Sequence, residues 1–167
     1  MSKDPSQVDA PEADEKRDAH DTPATSETYV VAEVDQGLKP YVINIEKATK
    51  LNDTFRTTMW TGQHLQMTVM AIPAGEDIGL EVHDVDQFLR VEEGTGRCQM
   101  GPAEDDLDFS QDVEDDWAIF VPAGTWHNVT NTGDQPLKLY TIYAPKDHVP
   151  GTVHVTKADA LNDPNED

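Results

Sequence analysis

Four residues of this chain have the types and spacing to hold a metal ion: Glu81, His83, Gln87 and His127. Three of them fall in the run from Gly75 to Gly94, GEDIGLEVHDVDQFLRVEEG. The fourth follows a Pro122-Ala123-Gly124 turn in the run from Asp116 to Asn131, DWAIFVPAGTWHNVTN. Two imidazoles and one carboxylate make a facial triad that leaves coordination positions open to water, oxygen or a substrate. Gln87 adds a neutral carbonyl oxygen, suited to a weak fourth ligand or to orienting a bound water. Nitrogen and oxygen donors accept Mn, Fe, Ni, Zn and Cu alike, so the residue types do not select the metal. The same side chains also allow a metal-free cavity in which Glu81 hydrogen-bonds His83 or His127. Relieved of a ligand role, Glu81 becomes a general base beside the site.

Residues this far apart in the chain need a scaffold of strands to meet. Glu81 and His83 are two apart, so on extended backbone both point the same way with Val82 opposite. Strand patterns are expected at Tyr41 to Ile45, His64 to Ala71, Gln87 to Glu93, Arg97 to Gly101, Trp117 to Val121, Trp126 to Asn131 and Leu137 to Tyr143. In the second of these, Leu65, Met67, Val69 and Ala71 read as the buried face. Glu46 to Asn52 reads as a short helical or irregular connector, and the carboxylate-rich Glu104 to Asp116 as a solvated loop or edge. About eight short strands with turns and no helices between them predict an all-β sandwich or barrel.

Met1 to Leu38 is rich in acidic, Ser, Thr and Pro residues and predicts a disordered tail, apart from the patch TYVVAEV. The expected division is a tail over 1–38, a folded domain over 39–160 and a disordered end over 161–167. The 33 acidic against 12 basic residues give a formal net charge of -21. That charge disfavours nucleic acid and anionic membranes. It also suits a halophilic source, because in about 1 M salt the Debye length shrinks to roughly 3 Å and self-repulsion is screened. Cys98 is the single cysteine, which rules out an internal disulfide and a cysteine-based zinc site. No secretory signal and no run of apolar residues long enough to span a membrane is seen, so a cytoplasmic location is expected.

The two motif-bearing runs resemble the two conserved motifs of the cupin superfamily. In that family the first motif is Gly, five residues, His-x-His, three or four residues, Glu, six residues, Gly. Here Gly75, Glu81, His83, Gln87 and Gly94 keep every spacing. The second motif, Gly, five residues, Pro-x-Gly, two residues, His, three residues, Asn, is matched by Asp116, Pro122, Gly124, His127 and Asn131. The runs GEDIGLEVH, DQFLRVEEG, PAGTWHN and GTVHVTKADA are similar to small single-domain cupins labelled mannose-6-phosphate isomerase-like. The resemblance implies a cupin β-barrel, a double-stranded β-helix or jelly roll, with a divalent metal inside and a homodimeric assembly. Glu81 stands where the family has its first histidine, Gln87 where it has glutamate, and Asp116 where it has glycine. The carboxylate is thereby moved from one ligand position to another and the ligand charge is unchanged.

Fold does not fix function, and cupins include isomerases, oxygenases and binding modules. The leading expectation is a metal-dependent cupin, an isomerase or oxygenase, acting on a small organic molecule. A non-catalytic small-molecule or sugar-binding cupin is the alternative. A mannose-6-phosphate isomerase-like reaction ranks lower, because phosphate needs cations and parity turns Arg90 and Lys138 away from the core face; Arg56 and Arg97 complete the available set. His64 and His154 are expected to be structural, and Trp60, Trp117 and Trp126 to fill the core or barrel ends.

Overall fold

The computed structural model describes residues 35–165. The expected disordered tail therefore lies, over residues 1–34, outside the described residues, as does its TYVVAEV patch. Helix α1 (Ile45–Leu51) is followed by β1 (Arg56–Thr61), β2 (Gln66–Ile72), β3 (Asp86–Glu93), β4 (Thr95–Gly101), β5 (Phe109–Glu114), β6 (Ala118–Val121), β7 (Trp126–Asn131), β8 (Leu137–Ala144), β9 (Val153–His154) and α2 (Lys157–Leu161). The strands form a six-stranded sheet in the order β6-β3-β8-β2-β1-β9 and a three-stranded sheet in the order β5-β4-β7. All the pairings are antiparallel. This is the expected all-β barrel, built from two antiparallel sheets.

Between the two sheets lies a core that includes Met70 and Ile72 of β2, Leu89 and Val91 of β3, Leu137 and Leu139 of β8, and Cys98 and Val129 from the smaller sheet. Each such side chain taken fully from water contributes about 1.5–3 kcal/mol. The inner face of β2 is thus Gln66, Thr68, Met70 and Ile72, the opposite parity from that expected. Its other face is buried too, because Met67 and Val69 pack in a second cluster with Ala48 of α1 and Tyr140. With every residue of β2 buried, the alternation of apolar residues does not reveal which side faces the barrel.

Tyr41 to Asn44 form no strand but lead into α1, and Val42 is 97% exposed. Asn44 ends the extended run by accepting a 3.0 Å hydrogen bond from Lys47 N through its side chain, an N-cap that favours a helix start. The acidic segment supplies the edge strand β5, in which only Val113 is buried. The tryptophans do not fill the core: Trp117 is 42% exposed, and Trp60 and Trp126 are half-buried. His64 sits exposed in the bend before β2.

Two features tie down the ends of the described chain. The Asp35 carboxylate accepts from Gly37 N and Thr61 N at 2.8 Å, from Gly151 N at 3.1 Å and from the Thr61 hydroxyl. At the other end β9 pairs with β1, and the buried His154 bonds to Asp163 at 3.0 Å. The helix α2 includes Leu161, and its capping box joins Thr156 and Asp159. Structured backbone thus extends beyond both 39 and 160.

Two turns place the motif strands. Gly94 joins β3 to β4 at φ 97, where a Cβ would also come within 3.2 Å of Leu137 Cα and Pro136 O, so glycine is required on both counts. Asp116 occupies the left-handed region at φ 71, a conformation open to glycine and tolerated by aspartate. Its backbone N–H donates to Val91 O at 3.0 Å and its carboxylate pairs with Arg90. The substitution of the family glycine is therefore confined to this turn.

Candidate metal centre

His127 enters from β7 and is fully buried. An isolated bridge fixes Glu81 opposite it, with Glu81 N donating to His127 O at 3.0 Å and His127 N to Glu81 O at 2.9 Å. His83 is held through its carbonyl, which accepts from Gly124 N at 2.7 Å in the Pro122-Ala123-Gly124 turn. The two sequence motifs are thus stitched together through main-chain hydrogen bonds.

Glu81 Oε1 lies 3.2 Å from His83 Nε2 and 3.3 Å from His127 Nε2. These approaches are close but not aligned as hydrogen bonds, and all three atoms are buried without a hydrogen-bond partner among the described residues. Buried polar atoms are nearly always partnered, so three orphans at one point call for a guest. Among the described residues this is the one group of three His, Cys, Asp or Glu side chains whose ligand atoms all lie within 4.8 Å of one another. His127 Nδ1 lies 3.0 Å from Thr125 O, which can only accept, so Nδ1 carries the proton and Nε2 offers its lone pair to the centre. The donor set and its orphaned atoms fit a divalent cation.

The surroundings are charged in pairs. Arg56, from β1 and 2% exposed, places Nη2 3.6 Å from Glu81 Oε2. Burial opposes ionisation of Glu81, but the approach of His127 and His83 and the charge of Arg56 outweigh it and hold the carboxyl well below the usual range. His83 lies between two carboxylates, with Nδ1 3.1 Å from Asp147 Oδ2. Burial would lower its pKa, yet Asp147 and Glu81 together raise it to about 9. Burial likewise opposes the charge on Asp147, and the hydrogen bond and charge of His83 still bring it below its ordinary value.

Gln87 is buried in β3, donating from Nε2 to Thr141 Oγ1 at 3.2 Å and leaving Oε1 without a partner. Among the described residues no hydrogen bond joins it to the triad. A mouth of about 300 Å³ opens over Glu81 and His83, lined also by Val82, Asp84, Asp147, His148 and Asn165. Two larger cavities, of about 450 Å³ beside Thr57, Thr61 and Lys146 and about 540 Å³ beside Tyr41, Trp60 and Leu65, share no residue with the triad. Sequence reasoning treated Arg56 only as a candidate phosphate cation and did not identify Asp147 at all. Arg56 opens β1, a strand absent from the sequence expectations, so nothing local marks it as facing the site.

Comparisons with known proteins bear on the family and the fold. The family model for the cupin domain matches residues 68–143. The chain is 62% identical over 128 residues to the uncharacterized protein YrkC of Bacillus subtilis, covering 76% of this chain and 69% of that one. It is 38% identical over 119 residues to the uncharacterized protein L612 of Acanthamoeba polyphaga mimivirus, covering 70% and 72% respectively. The crystal structure of BH2720 from Bacillus halodurans superposes with a TM-score of 0.77 at 60% identity, covering 78% of this chain and all of that one. The chain belongs to the cupin superfamily. Among the described residues no helix is long and apolar enough to cross a membrane.

Proposed function

We propose that the barrel holds a divalent cation on Glu81, His83 and His127 and acts there on a small organic molecule. The observation that supports this is the convergence of Glu81 Oε1 with two imidazole Nε2 atoms, all three buried and unpartnered. Gln87 is assigned a weaker part, its unpartnered Oε1 serving as a weak ligand or orienting a bound water. When bound, the cation supplies Lewis acidity or an activated water or oxygen. The chain's own residues do the rest. Arg56 balances the Glu81 charge, Thr125 O orients the His127 ring, and burial of His127 keeps bulk water from the inner side.

A phosphosugar substrate fits less well. Among the described residues no lysine or arginine lines the mouth. Arg90 is engaged by Glu92 and Asp116, Arg97 by Asp112, and Lys138 by Asp53 and Asn52 O. The non-catalytic reading draws on a different observation, the pairing of Arg56 and His83 with Glu81 and Asp147, which leaves two cations facing two anions without a metal.

Metal analysis decides between them. Protein purified without chelators is expected to retain about one divalent ion per chain, and His127→Ala to retain none. Absence of metal in the wild type, with no uptake on reconstitution, would remove the metal reading. Incubation of loaded protein with metabolite mixtures then separates consumption of a compound from its retention.

A further inference from the structure

The two histidines of the triad are oriented in different ways. His127 gives its Nδ1 proton to a main-chain carbonyl, Thr125 O, at 3.0 Å. His83 has no such carbonyl; its Nδ1 meets Asp147 Oδ2 at 3.1 Å, across the mouth of the site. Asp147 lies just beyond β8, on the segment that returns toward β9. We propose that Asp147 is the positioning residue for His83, and that Gln66 sets where Asp147 stands.

One side chain, Gln66, bonds the backbone of Asp147 and of His148. Gln66 on the inner face of β2 is fully buried. Its Oε1 accepts from Asp147 N at 3.2 Å and from His148 N at 2.8 Å, and its Nε2 donates to His148 O at 2.9 Å and to Thr61 Oγ1 at 3.0 Å. A single amide thus reads the backbone of two consecutive residues and satisfies every polar atom it carries, an arrangement that locates the segment rather than merely fills space. Tyr143 packs beneath it, edge-on to the His83 ring at 5.5 Å and to the His148 ring at 4.7 Å. With Nδ1 committed to Asp147, the His83 ring can turn only its Nε2 toward Glu81 Oε1, which stands 3.2 Å away. A carboxylate behind a ligating imidazole also makes that imidazole a better donor, and removal of such partners weakens metal binding by about 10–100-fold.

The proposal rests on the metal reading, and the experiment separates the two. Zn²⁺ affinity is measured by competition with a chelating dye for the wild type, His127→Ala, Asp147→Ala, Asp147→Asn, Asp147→Glu, Gln66→Ala and the Gln66→Ala/Asp147→Ala double variant. Thermal melting in chelator confirms that each is folded. Asp147→Ala is expected to bind about 10–100-fold more weakly. Asp147→Asn should lose less, because its amide oxygen still accepts from Nδ1, and Asp147→Glu should recover part of the loss. Gln66→Ala should weaken binding in the wild-type background and add nothing to Asp147→Ala, since it acts through that residue. Affinity of folded Asp147→Ala within twofold of the wild type, with His127→Ala inactive in binding, overturns the positioning role and leaves the metal site standing. Losses from Gln66→Ala and Asp147→Ala that simply multiply overturn the link between them. A wild type that takes up no Zn²⁺ overturns the metal reading and this proposal together.

Discussion

The barrel interior has two ends built by the same strands and filled in opposite ways. Along β2 the inward residues pass from Met70 and Ile72 to Gln66 and Thr68, and along β8 from Leu137 and Leu139 to Thr141 and Tyr143. In β3 the change is from Leu89 and Val91 to Gln87, and in β7 from Val129 to His127. The apolar end follows the usual rules of a core. The polar end collects buried atoms without hydrogen-bond partners among the described residues: the hydroxyls of Thr58, Thr68 and Tyr143 and Gln87 Oε1, together with the triad atoms. A protein that needed only stability would not assemble so many, since each unpartnered buried polar group costs about 1–3 kcal/mol. The contrast is the one the proposed metal site calls for, with the apolar end supplying stability and the polar end left for a ligand.

The comparison can be broken at either end. The largest effect is expected at the apolar end, where Leu139→Ala should lower unfolding free energy by about 2–5 kcal/mol in urea denaturation. A loss under about 1 kcal/mol would mean that this end is not the stabilising one.

A smaller, pH-dependent effect belongs to the polar end. His83 has a folded-state pKa raised to about 9, against about 6.5 unfolded. Its contribution to metal-free stability is complete below about pH 6.5 and fades as pH rises through about 9. Glu81, whose pKa is lowered, acts in the other direction and contributes above its unfolded value, about 4.3. Metal-free protein should therefore be most stable between about pH 4.5 and 6.5 with respect to this pair. Melting temperature that keeps rising from pH 6.5 to 9 in chelator would be the opposite result.

The smallest effect sharpens the contrast most. Thr68 is fully buried in β2 with its hydroxyl unpartnered, so the isosteric Thr68→Val should leave stability unchanged or raise it by up to about 1 kcal/mol. Destabilisation beyond about 1 kcal/mol would show that the hydroxyl has a partner in solution and that the polar end is better satisfied than it looks.

How much of this was legible in the sequence depends on distance along the chain. The barrel followed from short alternating strands, and Glu81, His83 and His127 from spacing within two local motifs. Gln87 was legible as a motif position; its Nε2 bonds Thr141 while its buried Oε1 has no hydrogen-bond partner among the described residues. The face of β2 was misread because α1 covers its outer side and both faces are apolar or buried. Gln66 and Asp147 lie 81 residues apart and Arg56 belongs to neither motif, so only the sheet order brings them to the site. Tyr41 to Ile45 has strand composition, yet the Asn44 cap turns it into a helix start.

The most direct test of the central claim is calorimetric titration of metal-free protein with Zn²⁺ at pH 7 in two buffers of different ionisation enthalpy. Because His83 is protonated there and a ligating imidazole must be neutral, binding should take up about one ion per chain and release about one proton. His127→Ala should show neither heat nor release. Wild-type protein that binds no ion would contradict a cation held on Glu81, His83 and His127; an ion bound without proton release would mean instead that His83 is already neutral in the metal-free protein.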